Sequence, residues 1–264
     1  MFKKYVNLYI KFLQQYLKIL MEYKVDFFIG LFGFFVVQAT GIAFLYIIFQ
    51  KVPYLNGWSY EQILFIYGFA QLPRGLDHML TDNLWLLSGR IIVRGEFDRY
   101  LLRPVNPLFQ LIAERFQPDA FGELVVGISL IIVSVSRLQL HFGILSIMAF
   151  IFAVICGAVI YTSIKLFFAS FAFWLKFSQS ILFMNYMLSD FAKYPISIYS
   201  KLIQSLLTFV VPFAFTAFFP ASFFVGKMDM ATAILGTFTA ACLTFAAAYT
   251  TWLFGISTYE SSGS

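Results

Sequence analysis

Residues 142–174 read FGILSIMAFIFAVICGAVIYTSIKLFFASFAFW, a run with a single charged side chain, Lys165. An α-helix rises about 1.5 Å per residue, so about twenty apolar residues cross a hydrocarbon core about 30 Å thick. Residues 142–174 are long enough to cross with some tilt. Strands of a lipid-facing barrel would be short and would alternate polar with apolar positions, which these do not. The run predicts a membrane-spanning helix, and the chain on either side repeats the pattern.

Comparable apolar segments occupy 25–50, 61–72, 119–136, 202–219 and 231–256, so an all-α membrane protein with six transmembrane helices in one domain, 1–264, is expected. Composition agrees: 61% of the 264 residues are hydrophobic and 12% charged, well below the roughly 25% charged of soluble domains. Pro212 predicts a kink in the fifth segment, because proline removes a backbone donor. Residues 175–201 are aromatic but carry Lys176, Asp190 and Lys193, and read as an interfacial or partly embedded helix rather than a crossing. Residues 220–230 read as a short re-entry or loop, and 257–264 as a polar tail. The spacing of Gly236 and Ala240 allows close helix contact.

Residues 1–24 mix five lysines with Tyr5, Tyr9, Phe12 and Leu13 at spacings of three and four, the pattern of an amphipathic helix lying on a membrane surface. Lys11 and Lys18 interrupt any apolar centre of a cleavable leader, so the segment is expected to stay attached.

The net charge is +5, which by itself suits nucleic acid or anionic surfaces, but in a membrane protein placement matters more than the sum. With the N-terminus inside, fourteen of the eighteen Lys and Arg side chains fall in inside segments. Lys51, Arg137 and Lys227 lie outside, and Arg74 within a span. Both termini are therefore expected in the cytoplasm, and nucleic acid is not an expected partner.

Several chemistries lack their residues. The phosphate-cradling pattern G-x-x-x-x-G-K-[ST] is absent, Gly226-Lys227 being followed by Met228. The longest polar stretch is too short for a nucleotide-binding domain. Cys156 and Cys242 lie in separate apolar runs and suit packing roles. His78 and His141 lack the companions of a metal site. No catalytic residue and no bound cofactor is expected, and any ATPase must be a separate polypeptide.

The polar region 88–117 carries most of the remaining information. Phe97, Tyr100 and Leu101 share one helical face, and Glu96 and Arg99 can pair at spacing three. Pro104 forces Arg103 out of the helical region, and Asn106 and Pro107 supply a cap and first-turn proline for a second short helix bearing Leu108, Leu111 and Ile112. Two short amphipathic helices at a rigid corner would make a stiff lever. A basic loop that only sets topology fits the same residues.

The run Arg94-Gly-Glu-Phe-Asp-Arg-Tyr-Leu-Leu-Arg-Pro-Val-Asn-Pro107, with Tyr194-Pro-Ile-Ser-Ile-Tyr199, Val211-Pro-Phe-Ala-Phe215, Phe219-Pro-Ala221 and the tail Tyr259-Glu-Ser-Ser-Gly-Ser264, resembles the permease subunits of a bacterial type-2 ABC transporter family. The resemblance implies a six-helix permease of the bacterial cytoplasmic membrane. It also implies pairing with a second, different but related permease above two copies of an ABC ATPase that holds ATP and Mg, and export of the substrate. It places Arg94, Glu96, Phe97, Asp98, Arg99, Tyr100 and Arg103 near the surface that couples to the ATPase.

Arg74, Asp77, His78 and Asp82 form a polar cluster at membrane depth, where charges are costly and face protein or water. Arg74 can pair within its own helix with Asp77 or His78, locking a tilted span to its neighbours. A substrate path would more naturally be lined by Phe65, Tyr67 and Phe69, which lipid-facing packing explains equally well. Aromatic, sparsely charged spans favour a hydrophobic or amphipathic cargo. The competing class is a stand-alone channel or ion-coupled transporter, in which Arg74, Asp77 and Asp82 would gate or carry protons.

Overall fold

A computed structural model describes residues 2–22 and 24–260, and among them every regular element is a helix. The last four residues of the quoted tail lie outside the described part. In chain order the principal elements are α1 (Phe2–Glu22), α2 (Lys24–Phe49), α3 (Tyr60–Thr81), α4 (Asp98–Leu101), α5 (Pro107–Ala113), α6 (Phe121–Leu138), α7 (Ile144–Ser170), α8 (Gln179–Ser189), α9 (Lys201–Val210), α10 (Phe213–Phe224) and α11 (Ala231–Ser257). Four helices are long and apolar enough to cross a membrane: Phe27–Phe49, Phe121–Leu138, Ile144–Leu175 and Ala231–Ser257. The chain is an all-α, multi-pass membrane protein.

The hub is α3, the helix with the most charges among the predicted crossings. Residues Ile63 to Gly75 of α3 are buried without a break, with Ile63, Phe65, Ile66 and Phe69 fully enclosed. A helix surrounded by protein on all sides need not be apolar throughout, because its neighbours can supply partners for its polar groups. Its contact with α6 is backbone to backbone: a Cβ on Gly127 would lie 2.9 Å from the carbonyl oxygen of Gly68 and 2.7 Å from Leu72 Cδ2. Small residues allow this approach, and van der Waals attraction drives helix association where lipid removes the hydrophobic term. Phe65, Tyr67 and Phe69 are therefore enclosed by neighbouring helices and do not face lipid. Tyr67 instead donates its hydroxyl to Gln38 Oε1 of α2 at 2.5 Å.

Contacts define two ends of the bundle. At one, the turn 50–59 meets residues far along the chain. Trp58 Nε1 donates to Ser197 Oγ at 2.9 Å, Asn56 donates to the Ser197 carbonyl, and the Lys227 ammonium lies 4.1 Å from the Trp58 ring centroid while donating to the Gly57 carbonyl. At the other, Ser178 N donates to the Ser88 carbonyl at 2.9 Å, and Phe97 packs edge-on against Phe173, Trp252 and Tyr259.

These contacts revise the expected path. Residues 178–197 start at the Ser88 end and finish at the Trp58 end, running antiparallel to the α3 strand of chain. Tyr186 packs on Trp85, Asp190 on Arg74 and Tyr194 on Tyr67. The segment 175–201, expected to be interfacial or partly embedded rather than a crossing, thus runs the length of the bundle. Its charges mislead because they cancel inside the protein: Asp190 binds both Arg74 and Lys193.

The expected fifth crossing, 202–219, is instead part of a hairpin. Helices α9 and α10 meet at a 73° bend around Val211 and Pro212, and both ends of the pair lie at the Trp58 end of the bundle. Helices of ten and twelve residues reach only about 15–18 Å, too short to cross about 30 Å. The kink expected at Pro212 is where the chain turns back.

Candidate functional site: a buried ionic network and an anchored corner

Residues Arg74 to Asp82 occupy the last turns of α3, where Pro73 and the approach of Gly157 from α7 bring the backbones close. A Cβ on Gly157 would lie 2.9 Å from Pro73 Cβ. Neighbouring helices, not the same helix, supply the partners. Arg74 Nη1 donates to Asp190 Oδ1 at 2.6 Å, its Nε lies 3.8 Å from Glu123 Oε1 of α6, and its guanidinium stands 4.6 Å from the Tyr186 ring centroid. Asp77 takes Lys165 of α7 at 2.7 Å, with Thr81 and Thr162 hydroxyls on its other oxygen at 2.6 and 2.8 Å. The His78 ring sits between Asp82 at 3.7 Å and Glu123 at 3.6 Å. The possible pairing of Arg74 with Asp77 or His78 is not made: Asp77 is held by Lys165, His78 faces Asp82 and Glu123, and Arg74 reaches Asp190 and Glu123.

Sequence reading missed four members of this network: Glu123, Lys165, Asp190 and Lys193. Lys165 was assigned to an inside segment and is 7% exposed in the middle of the bundle. The available signal was its isolation within 142–174, since an intramembrane ionisable residue requires a partner.

The network borders a cavity of about 360 Å³ lined by Arg74, Asp77, His78, Asp82 and Lys165 together with Trp85, Tyr161, Asn185, Tyr186 and Phe213. Asn185 is 5% exposed and its Oδ1 has no hydrogen-bond partner. Among the described residues no three His, Cys, Asp or Glu side chains converge as metal ligands.

The second predicted site is a corner rather than two free amphipathic helices. Phe97 and Tyr100 are buried, 0% and 1% exposed, but Leu101 is 44% and Leu102 85% exposed, so the apolar face excludes Leu101. Glu96 pairs with Arg90 at 3.0 Å rather than with Arg99. Arg99 reaches Glu114 at 3.2 Å, and the Tyr100 hydroxyl donates to the same carboxylate. Burial, with that carboxylate beside it, pushes the Tyr100 hydroxyl up to about 12. Asn106 caps α5 by accepting from Phe109 N at 3.1 Å, with Pro107 in the first turn, as its sequence requires. Tyr5 of α1 packs edge-on against Phe109 with centroids 4.7 Å apart, tying the N-terminal helix to the corner.

Arg94 and Arg103 are exposed, and Asp98 is half-buried. The result is a turn whose inner face is locked by rings from α11 and from the end of α7, and whose outer face presents Val93, Arg94, Leu101, Leu102 and Arg103.

A family model described as ABC-2 family transporter protein matches residues 35–263. No curated protein and no solved structure matches the chain.

Proposed function

The chain belongs to the ABC-2 transporter family and is a multi-pass permease subunit of an ABC transporter, and from that premise we propose that it is one half of an ATP-driven exporter. The family implies an ABC ATPase as partner in general. In this reading two copies of that ATPase hold ATP and Mg and dock below a pair of permeases. The second permease is a different, related subunit, and the assembly sits in the bacterial cytoplasmic membrane. Six crossings are made by α2, α3 with its continuation to Ile91, α6, α7, the segment 178–197 and α11. The hairpin of α9 and α10 enters from the outer side and returns to it. Both termini are cytoplasmic, and α1 lies in the inner interface.

The basic face supports this orientation. Arg90, Arg94, Arg99, Arg103 and Arg115 all belong to the region at the Ser88 end, together with the lysines of α1. Of the side chains counted inside on sequence, Lys165 and Lys193 belong to the ionic network and Lys201 in this reading to the outer end, and the bias survives their transfer.

One observation carries the coupling role: the corner at 93–104 is rigid inside and apolar-basic outside. A lever must not yield when pushed. Phe97 and Tyr100, fixed among Phe173, Trp252 and Tyr259, pass a displacement of the corner directly to α7 and α11. Exposed Leu101, Leu102 and Arg103 are the surface an ATPase would grip. Closure of the nucleotide-bound ATPase pair would then move both helices and switch the cavity between the two sides. Arg103→Glu is expected to cut substrate-stimulated ATPase activity of the reconstituted complex several-fold while leaving membrane insertion unchanged. Full coupling in that variant would remove the corner from the mechanism. Uphill transport by the purified chain alone would replace this reading with an ion-coupled one.

A further inference from the structure

We propose that the cavity beside α3 binds an amphipathic organic cation. Asp82 stands apart from the other acids of the network. Asp77, Glu123 and Asp190 each have a permanent cation, Lys165, Arg74 or Lys193, within 4 Å, and among the described residues Asp82 has only the His78 ring. Lys165 is committed to Asp77 at 2.7 Å, and Arg74 and Lys193 converge on Asp190 at 2.6 and 2.7 Å. Asp82 is left with His78 as its one ion-pair neighbour among the described residues, at 3.7 Å, beyond hydrogen-bond length. A half-buried carboxylate beside a cavity, without a full countercharge, attracts a cation, and the permanent cations here already have their anions.

The rest of the lining fits the same class. Trp85 and Tyr186 stand edge to face, 5.7 Å between centroids, on the cavity wall with Asp82, and ring faces attract organic cations as well as apolar surface. Tyr161 and Phe213, 5.2 Å apart, supply an apolar wall. Asn185 is 95% buried by its 5% exposure and lines the space with an acceptor, Oδ1, that the protein leaves unused. A buried acceptor without a partner costs about 1–3 kcal/mol, and a ligand N–H would satisfy it. A headgroup between Asp82 and Asn185 with its apolar body against the rings uses each of these groups. An anionic ligand would meet Asp82 with like charge and would have to take Arg74 or Lys165 from its carboxylate.

That the bound cation is cargo rests on the transport reading. That it binds does not, so the test needs neither ATPase nor transport. Phenethylammonium, an aromatic cation with N–H donors, is titrated into the purified protein in lipid nanodiscs while tryptophan fluorescence is followed. 3-Phenylpropionate, of similar shape and opposite charge, is titrated in parallel. Saturable quenching by the cation is expected, lost in Trp85→Phe, with affinity about tenfold weaker in Asp82→Asn and in Asn185→Leu. Because Asn185 Oδ1 makes no hydrogen bond within the protein, Asn185→Leu should fold even if Asp82→Asn does not. Equal or tighter binding of the carboxylate, or unchanged cation affinity in the folded variants, would overturn the assignment while leaving the permease reading intact.

Discussion

Asp77 and Lys165 lie 2.7 Å apart with side chains 5% and 9% exposed, so each charge depends on the other for its countercharge. Deleting one member of such a pair costs about 3–5 kcal/mol, whereas removing both is nearly neutral. Lys165→Met should therefore lower the thermal unfolding midpoint of the detergent-purified protein, and the double variant with Asp77→Asn should recover most of the loss. A double variant no more stable than the single one would show that the two are not coupled. At the corner, Tyr100 keeps its proton to about pH 12 in the folded protein, above the value near 10 of a free tyrosine. Its contribution is complete below about pH 10 and is lost as pH rises towards about 12, because the unfolded chain releases the proton first. Tyr100→Phe should flatten the fall in unfolding midpoint between about pH 10 and about pH 12, read as the difference between the two proteins.

Helix pairing in this molecule depends on where side chains are missing. The Gly68–Gly127 crossing has no room for a methyl group. The atom in the way is a carbonyl oxygen of the opposing backbone, which cannot swing aside. Gly127→Ala should cost about 1–3 kcal/mol as α3 and α6 are forced apart. Gly30→Ala in α2, where a Cβ meets nothing within 4 Å, should leave the midpoint unchanged or slightly raised. Thermal scans of both variants check the contrast, and an equal effect at the two positions would contradict the crossing geometry. The short helices obey a different rule. Neither helix of the α9–α10 hairpin is long enough to cross, and its two ends are tied together through Trp58, Ser197 and Lys227.

Across the bundle, the decisive change from the sequence-based path is which stretch follows α7 to the far side. In a background lacking Cys156 and Cys242, Tyr54→Cys, Lys201→Cys and Met230→Cys should react with a membrane-impermeant maleimide from one side of the membrane. Leu102→Cys should react only from the other. Labelling of Lys201→Cys together with Leu102→Cys would restore the interfacial reading of 175–201. All four positions are exposed at the surface of the protein.

Much of this was legible in advance. The runs 25–50, 119–136, 142–174 and 231–256 correspond to the four long apolar helices, because length and apolarity are properties each segment carries alone. Asn106 and Pro107 were readable as a helix start for the same reason: a cap acts within four residues. The bilayer as solvent and the helix as the only element were likewise set by composition. What lay beyond reach were pairings between distant residues. Asp190 and Lys193 look like reasons to keep a segment at the surface until each is seen paired with the other and Asp190 with Arg74. Hydrophobicity is summed along the chain, but charge is neutralised across it. The amino-acid sequence thus settled that this protein lives in a membrane as helices, and only the tertiary structure decided which segment runs the length of the bundle, which one turns back, and where the charges meet.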